Sequence, residues 1–346
     1  MSPSSPFRQL LDPVPEGVIR PMWSVMIPTY NCAKYLKGTL ESVLQQDLGP
    51  DMMQIMVIDD CSTQDDPEAV VREVGQGRVE FYRQPKNVGL TKNFRTSLEM
   101  SRGYLVHQLH GDDQVRPGFY KKLQVAFETN SEVGAAFCRT ISMDENGHWT
   151  NLTDLERNSS GLLPKEWMQR LATICCIQTP SIVVRREVYE KIGGFDQRLN
   201  YAGEDWEMWA RTAASYSMWY EVEPLSIYRS APGSITDRNN LNGRRIEDLY
   251  SAAKMIHSYF PEGLPKAIRT IPYRNFAFSS LGMAKVLLKR GEIRLAMPHI
   301  RSALRYQISY LVLRSLLGIL IFHLFSALLK SVFQSSPSIL HSQATP

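Results

Sequence analysis

Short apolar runs that stop at polar turns, each followed by a stretch with helical spacing, set the rhythm of the chain's first half. Trp23-Ser-Val-Met-Ile-Pro-Thr-Tyr-Asn reads as a strand halted near Pro28. Apolar positions 36, 40, 43 and 44 then recur at the spacing of a helix, and a second apolar run over 55–58 ends at Asp59-Asp60. That opening is a β-α-β unit, whose two strands should be parallel. A short extended piece begins at Phe81. Asn87-Val-Gly leads into a helix ending near Met100, and a strand over 105–109 ends at Asp112-Asp113. Beyond Pro117 the pattern predicts another helix and then a strand from Val133. Asp144-Glu-Asn-Gly is a turn, 174–184 an extended crossing segment, and Ile192-Gly-Gly-Phe-Asp a tight turn before the helical Glu204-Asp-Trp-Glu-Met-Trp-Ala-Arg. This alternation predicts an α/β fold, a doubly wound and mostly parallel sheet with flanking helices.

The second half reads differently. Residues 232–242 read as a loop and as the best domain boundary, followed by helical patterns over 243–259, 274–290 and 292–307, the last two expected to join in a hairpin turned by Gly291. An apolar segment over 311–329 is long enough, at about 28 Å as a helix, to match a bilayer core. It fits three situations: a monotopic helix in the membrane interface, a spanning helix, or a helix packed on a partner. The nearby Arg301, Arg305 and Lys330 favour contact with an anionic leaflet. The expected organisation is a loose Pro-rich arm over 1–21, a catalytic domain over 22–232, a linker and helical hairpin over 233–308, a membrane-associating helix over 309–333, and a tail over 334–346.

Charge sharpens that division. The 346 residues carry a net +4, but from Gly263 onward eleven Lys and Arg face one acid, Glu292, which gives +10 there and leaves −6 for residues 1–262. A basic surface of that kind can meet anionic lipid or nucleic acid, or be a solvated helical face; the expected location is cytoplasmic, peripheral or monotopic at the inner face of the cell membrane. No nucleic-acid partner is expected. The five cysteines form no CxxC pair, and Cys175 adjoins Cys176, so they read as reduced thiols. The N-terminal Met-Ser-Pro-Ser-Ser-Pro shows no secretory signal.

Three adjacent carboxylate pairs, Asp59-Asp60, Asp112-Asp113 and Glu204-Asp205, carry the candidate chemistry. Ionised groups are costly to bury unpaired, and ligands of open α/β sheets sit at the carboxyl ends of the strands. Asp112-Asp113, with Gly111 leaving room beside it, suits a divalent cation with substrate phosphates; the alternative is a solvated helix cap. Asp60 suits the imide N–H of a uracil with Tyr30 stacked on the base, or else an Asx-type turn. Asp205, beside Trp206 and Trp209, suits a general base, or else an acid favoured by a helix N-terminus. His107 reads as structural and His110 as a weak metal-ligand candidate. No P-loop, GxGxxG or HExxH pattern is present.

In chain order, Val25-Met-Ile-Pro-Thr-Tyr-Asn, Val57-Ile-Asp-Asp-Cys-Ser-Thr, Asn87-Val-Gly, His110-Gly-Asp-Asp, Gly193-Gly-Phe-Asp and Gly203-Glu-Asp-Trp-Glu-Met-Trp resemble the motifs of family 2 glycosyltransferases of the GT-A fold, over residues 22–232. The resemblance implies a Rossmann-like mixed, mostly parallel sheet, with the C-terminal helices as an extension. It implies transfer of a sugar from a nucleotide-diphospho-sugar, usually a UDP-sugar, with inversion, onto a glycan or lipid-linked acceptor during surface polysaccharide or glycoconjugate assembly. By the same resemblance Pro28, Tyr30, Asp60 and Asp112 would bind the nucleotide. Asp113 and Asp112 would hold Mn2+ or Mg2+, and Asp205 would be the catalytic base. Arg229, Glu204 and Trp206 would contact the diphosphate or the acceptor. Two departures stand out: His110 replaces the Asp that usually heads the metal element, and Ala231 stands where a histidine is common. Arg229 is not followed by Trp, which favours single transfer over processivity. A nucleotidyltransferase and an inactive glycan-binding scaffold are the competing readings.

Overall fold

The computed structural model describes residues 6–230, 243–260 and 262–321. The expectations for Ala231, the loop over 232–242, the apolar stretch beyond 321 and the tail lie outside the described residues. The first layer follows the predicted alternation: β1 (Trp23–Thr29), α1 (Ala33–Leu44), β2 (Met53–Asp59), α2 (Pro67–Gly75), β3 (Glu80–Arg83), α3 (Leu90–Met100) and β4 (Leu105–Gln108). Then come β5 (Gln114–Val115), α4 (Phe119–Thr129), β6 (Val133–Met143), β7 (Trp149–Leu152), β8 (Gly161–Leu162), α5 (Met168–Leu171) and β9 (Ile182–Arg185). The domain closes with α6 (Arg186–Ile192), α7 (Glu204–Ser215) and β10 (Ser217–Arg229).

These strands form one sheet in the order β3-β2-β1-β4-β9-β6-β10-β5, with β7 on β6 and β8 on β10. β1 to β4 are parallel, and β6 and β10 run with them, while β5, β7, β8 and β9 oppose their neighbours. The chain leaves β1 for β2 and β3 on one side, then returns to β4 on the other. A switch point therefore lies between the carboxyl ends of β1 and β4, where such folds bind ligands. Pro28 suits that place. The β1–β4 ladder stops at Met26 opposite Gln108, so the N–H that proline lacks is not required two residues further on.

Alternation along the strands divides the core. Val25, Ile27, Ile55 and Val57 pack with Leu36, Leu40, Phe119 and Leu123 from α1 and α4. Met26, Met56, Ile58 and Val106 face Phe94, Val188, Trp206 and Trp209 from α3, α6 and α7. Among the elements that escaped the pattern are α2 and β10. In α2 the Asp66 side chain caps the Ala69 N–H and Pro67 opens the helix, within a stretch whose acids read as turn. In β10 register shifts around Glu221, Pro224 and Ser226 interrupt the period-2 signal.

The helical half is α8 (Arg244–His257), α9 (Lys266–Arg269), α10 (Ile271–Lys289), α11 (Ile293–Tyr306) and α12 (310–321). Gly291, at φ 81°, makes the expected hairpin turn between α10 and α11. α8 contributes Ile246, Ala252, Ala253 and Ile256 to the same core as Trp206 and Trp209, so the catalytic layer's packing extends past residue 232. A separate small core joins α10, α11 and α12 through Leu281, Ala284, Leu287, Ala303, Val312 and Ile319. The described part of the N-terminal arm is not loose, contrary to expectation. Gln197 and Gly194 donate backbone bonds to Phe7 and Gln9, Leu11 donates to Tyr189, and Arg8 pairs with Asp196 at 2.7 Å. Among the described residues no helix is long and apolar enough to cross a membrane.

Candidate active site

The site forms where β1, β2 and β4 end. The backbone N–H of Asp60 donates to the Thr29 carbonyl at 2.9 Å, and that of Gly111 to the Pro28 carbonyl at 3.1 Å, so the end of β1 ties the first two acidic pairs together. A side chain at Gly111 would place its Cβ 2.8 Å from both Cys32 Sγ and Thr29 Oγ1, and only glycine allows that approach. Tyr30 is half-buried at this edge. Asp59 is a structural acid. It is buried, accepts from Ser62, and pairs with Arg83 at 2.8 Å. Asp60 accepts the N–H groups of Val88 (2.7 Å) and Gly89 (2.9 Å) at the start of α3. Burial raises its proton affinity, the two N–H bonds oppose that rise, and the net direction is up.

Asp113 is fully buried, and its Oδ1 accepts the backbone N–H of Arg229 at 2.8 Å. Its Oδ2 is buried with no hydrogen-bond partner. His110 Nδ1 stands 3.4 Å from that oxygen, with its ring stacked on Phe94 at 5.3 Å. His110, Asp112 and Asp113 each offer a ligand atom within 4.8 Å of the others, the one such cluster among the described residues. Burial and the Asp113 charge raise the proton affinity of Asp112. Burial pulls that of His110 down, but Asp113, Asp112 and Glu204 outweigh it and the net direction is up. His107, as expected, is structural: it is buried, bonded to the Pro180 carbonyl at 3.0 Å, and held neutral by burial.

The third pair starts α7 on the N-cap Gly203, at φ 81°. Asp205 Oδ1 accepts the Trp206 N–H at 2.6 Å, while Oδ2 faces Thr179 Oγ1 at 3.5 Å and Cys175 Sγ at 4.0 Å. The segment expected to cross the site thus reaches it, though Pro180 lies in a tight 3-10 turn (Thr179–Ser181) before β9. Burial raises the proton affinity of Asp205, opposed by the Trp206 N–H and by His110. Burial and the Asp205 charge raise that of Glu204, whose Oε2 is buried without a partner. His110 and Glu204 each shift the other's proton affinity, so the metal-type cluster and the base pair share one electrostatic neighbourhood.

Two expected contacts take other roles. Trp206 is only 1% exposed, donates to the Leu171 carbonyl at 2.6 Å and packs edge-on against Phe276, so no ring face is open to a sugar. Its place on the inner stripe of α7 puts it in the core. Arg229 is buried, bonds the carbonyls of Asp112 (3.1 Å) and Asp144 (3.0 Å), and lies over Tyr35 at 4.5 Å. It braces the backbone that carries Asp112-Asp113. A buried cluster behind α7 was not foreseen. Arg211 binds Glu207 at 2.9 Å and the carbonyls of Gly193 and Gly194, and Glu207 also meets Tyr259 and Arg8. The i,i+4 spacing of Glu207 and Arg211 was a legible signal; the long-range partners were not.

The family model "Glycosyl transferase family 2" matches residues 24–193. An uncharacterized glycosyltransferase of Methanocaldococcus jannaschii is 27% identical over 67% of this chain and 77% of its own length. An N-acetylglucosaminyltransferase of Mesorhizobium japonicum is 30% identical over 50% of this chain and 41% of its own. Among solved structures, S. aureus TarS 1-349 in complex with UDP-GlcNAc superposes with a TM-score of 0.58 at 17% identity, covering 82% of this chain and 81% of that one. The matched span holds the β1 and β2 motifs and the His110-Gly-Asp-Asp element. Residues 24–193 are a glycosyl transferase family 2 segment, and the chain is a glycosyltransferase enzyme with the GT-A fold.

Proposed function

We propose that this enzyme transfers a sugar from a nucleotide-diphospho-sugar, foremost a UDP-sugar, to a hydroxyl of a glycan or lipid-linked acceptor, with inversion at the anomeric carbon. The observation that carries the reading is the pairing of a base-like Asp205, its proton affinity raised by burial, with the neighbouring His110-Asp112-Asp113 cluster. The solved complexes with UDP-GlcNAc, and of the Pyrobaculum calidifontis mannosyltransferase with GDP-Man and Mn2+, support a nucleotide-sugar donor.

In this reading Asp60 accepts from the base, its plane fixed by the Val88 and Gly89 N–H groups, with Pro28 and Tyr30 bordering the nucleoside. Asp112 meets the ribose. Asp113 and Asp112 would hold Mn2+ or Mg2+, a fit supported by the buried Asp113 Oδ2 that has no hydrogen-bond partner. A divalent cation bound there supplies Lewis-acid compensation for the charge on the departing diphosphate. Asp205 Oδ2 takes the acceptor proton as the acceptor oxygen attacks the anomeric carbon from the opposite face. Thr179 and the Trp206 N–H hold the carboxylate in place. A raised proton affinity makes it a stronger base than an exposed aspartate. Glu204 lies close enough to shape that affinity.

We place the acceptor at an anionic membrane surface, in surface polysaccharide or glycoconjugate assembly. α12 buries Val312 and Ile319 but exposes Tyr310, Leu313, Leu317 and Ile321, while α11 carries Arg301 and Arg305 and α12 carries Arg314, with no acid on either helix. A panel of UDP-sugars scored for UDP release, with UTP plus sugar 1-phosphates scored in parallel for pyrophosphate release, tests the reaction class. UDP release with one sugar and an inverted product by NMR is expected. Pyrophosphate release would move the enzyme to nucleotidyl transfer, and silence with every nucleotide-sugar would leave a binding scaffold.

A further inference from the structure

We infer that His110 is itself a ligand of the divalent cation, giving this enzyme a mixed nitrogen–oxygen site that disfavours Mg2+; this rests on the metal reading above. Three observations carry it. His110 Nδ1 and Asp113 Oδ2 stand 3.4 Å apart, yet Oδ2 has no hydrogen-bond partner in its buried position. The pair is within ion-pair distance, but no hydrogen bond of regular geometry joins the two atoms. Two adjacent ligands on one ion, each bonded at about 2.1 Å, stand about 3 Å apart, so this spacing suits atoms sharing a cation.

The second observation is the fixed ring. Phe94 stacks on His110 with planes 16° apart, and Phe94 is fully buried, so the imidazole is set in one orientation before any ion arrives. The third is that Asp113 Oδ1 is already committed to the Arg229 backbone, which leaves Oδ2 as that carboxylate's free donor toward the histidine. With Asp112 the cluster offers three donors from one turn after β4. Mg2+ demands oxygen ligands and gives up water reluctantly, whereas first-row ions accept imidazole with affinity rising from Mn2+ to Co2+. A site headed by histidine should therefore favour Co2+ and Mn2+ over Mg2+ more strongly than an all-carboxylate one.

The test uses the full-length chain in detergent with UDP. Bound Mn2+ should show 14N coupling from a coordinated imidazole in pulsed EPR, and the coupling should vanish in His110→Asp. Calorimetric titration should give a Co2+-to-Mg2+ affinity ratio at least tenfold higher in wild type than in His110→Asp, a ratio that poor folding alone does not change. His110→Gln should lose the 14N coupling as well while its circular dichroism stays as in wild type. Mn2+ bound without 14N coupling, or an unchanged Co2+-to-Mg2+ ratio, overturns the ligand assignment while leaving the metal reading intact. No divalent ion bound with UDP overturns both.

Discussion

Replacing Gly203 with alanine tests whether α8, outside the motif-bearing segment, braces the catalytic end of α7. Gly203 is the N-cap of α7 at φ 81°, and an added Cβ would lie 2.9 Å from the Cβ of Ala252 on α8. The left-handed backbone costs an alanine about 1–2 kcal/mol, and overpacking a tight contact about 1–3 kcal/mol, so the sum is roughly 2–5 kcal/mol. The cost falls one residue from Glu204 and two from Asp205, so turnover should drop together with stability. The assay is urea unfolding of the two single variants and the Gly203→Ala/Ala252→Gly double variant. Ala252→Gly removes the opposing methyl. It should relieve the steric part alone, so the double variant should be less destabilised than the sum of the singles by about 1–3 kcal/mol. Additivity within about 0.5 kcal/mol would refute the contact, and an unaffected Gly203→Ala would refute the brace itself.

Other outcomes follow from the same geometry. Arg211→Met leaves the buried Glu207 with weaker partners and frees the Gly193-Gly194 carbonyls, so it should cost about 3 kcal/mol in denaturant unfolding. Glu204 has its proton affinity raised by burial and by Asp205, so its contribution to stability is complete below the ordinary carboxylate range and is lost as pH rises through the raised value. The stabilisation of Glu204→Gln over wild type should therefore grow with pH in thermal melts; a constant difference would contradict the buried-acid assignment. Full-length protein should co-sediment with phosphatidylserine-containing vesicles and much less with neutral ones. Leu317→Glu or Arg301→Glu/Arg305→Glu should weaken that binding, and equal binding to both vesicle types would remove the anionic partner.

The parallel half of the sheet was legible because its strands are buried on both faces, so their apolar runs are nearly continuous and end sharply at the acids. The order β1-α1-β2 and the hairpin at Gly291 were read from spacing and one glycine. β10 was hidden because Pro224 and two glutamates sit at its register shifts, which erase the alternation. The packed N-terminal arm was hidden for another reason: its hold is a set of distant backbone bonds and the Arg8–Asp196 pair, none of which leaves a local pattern. At the site, residue types announced the three acidic pairs, but not the division within them. Asp59 turned out to be tied to Arg83, and Trp206 entered the core, because burial depends on which helix face meets the sheet. The Arg229 guanidinium could be assigned to carbonyls only once β10 was paired beside β5 and β6.

The account turns on Asp205 as the group that takes the acceptor proton. The most direct measurement compares Asp205→Asn with wild type for UDP binding in the presence of Mn2+ and for sugar transfer from the donor that wild type uses. Unchanged UDP affinity with transfer reduced by at least a thousandfold is predicted, since asparagine keeps the shape and the contact with the Trp206 N–H but cannot accept the proton. Transfer within tenfold of wild type would contradict it.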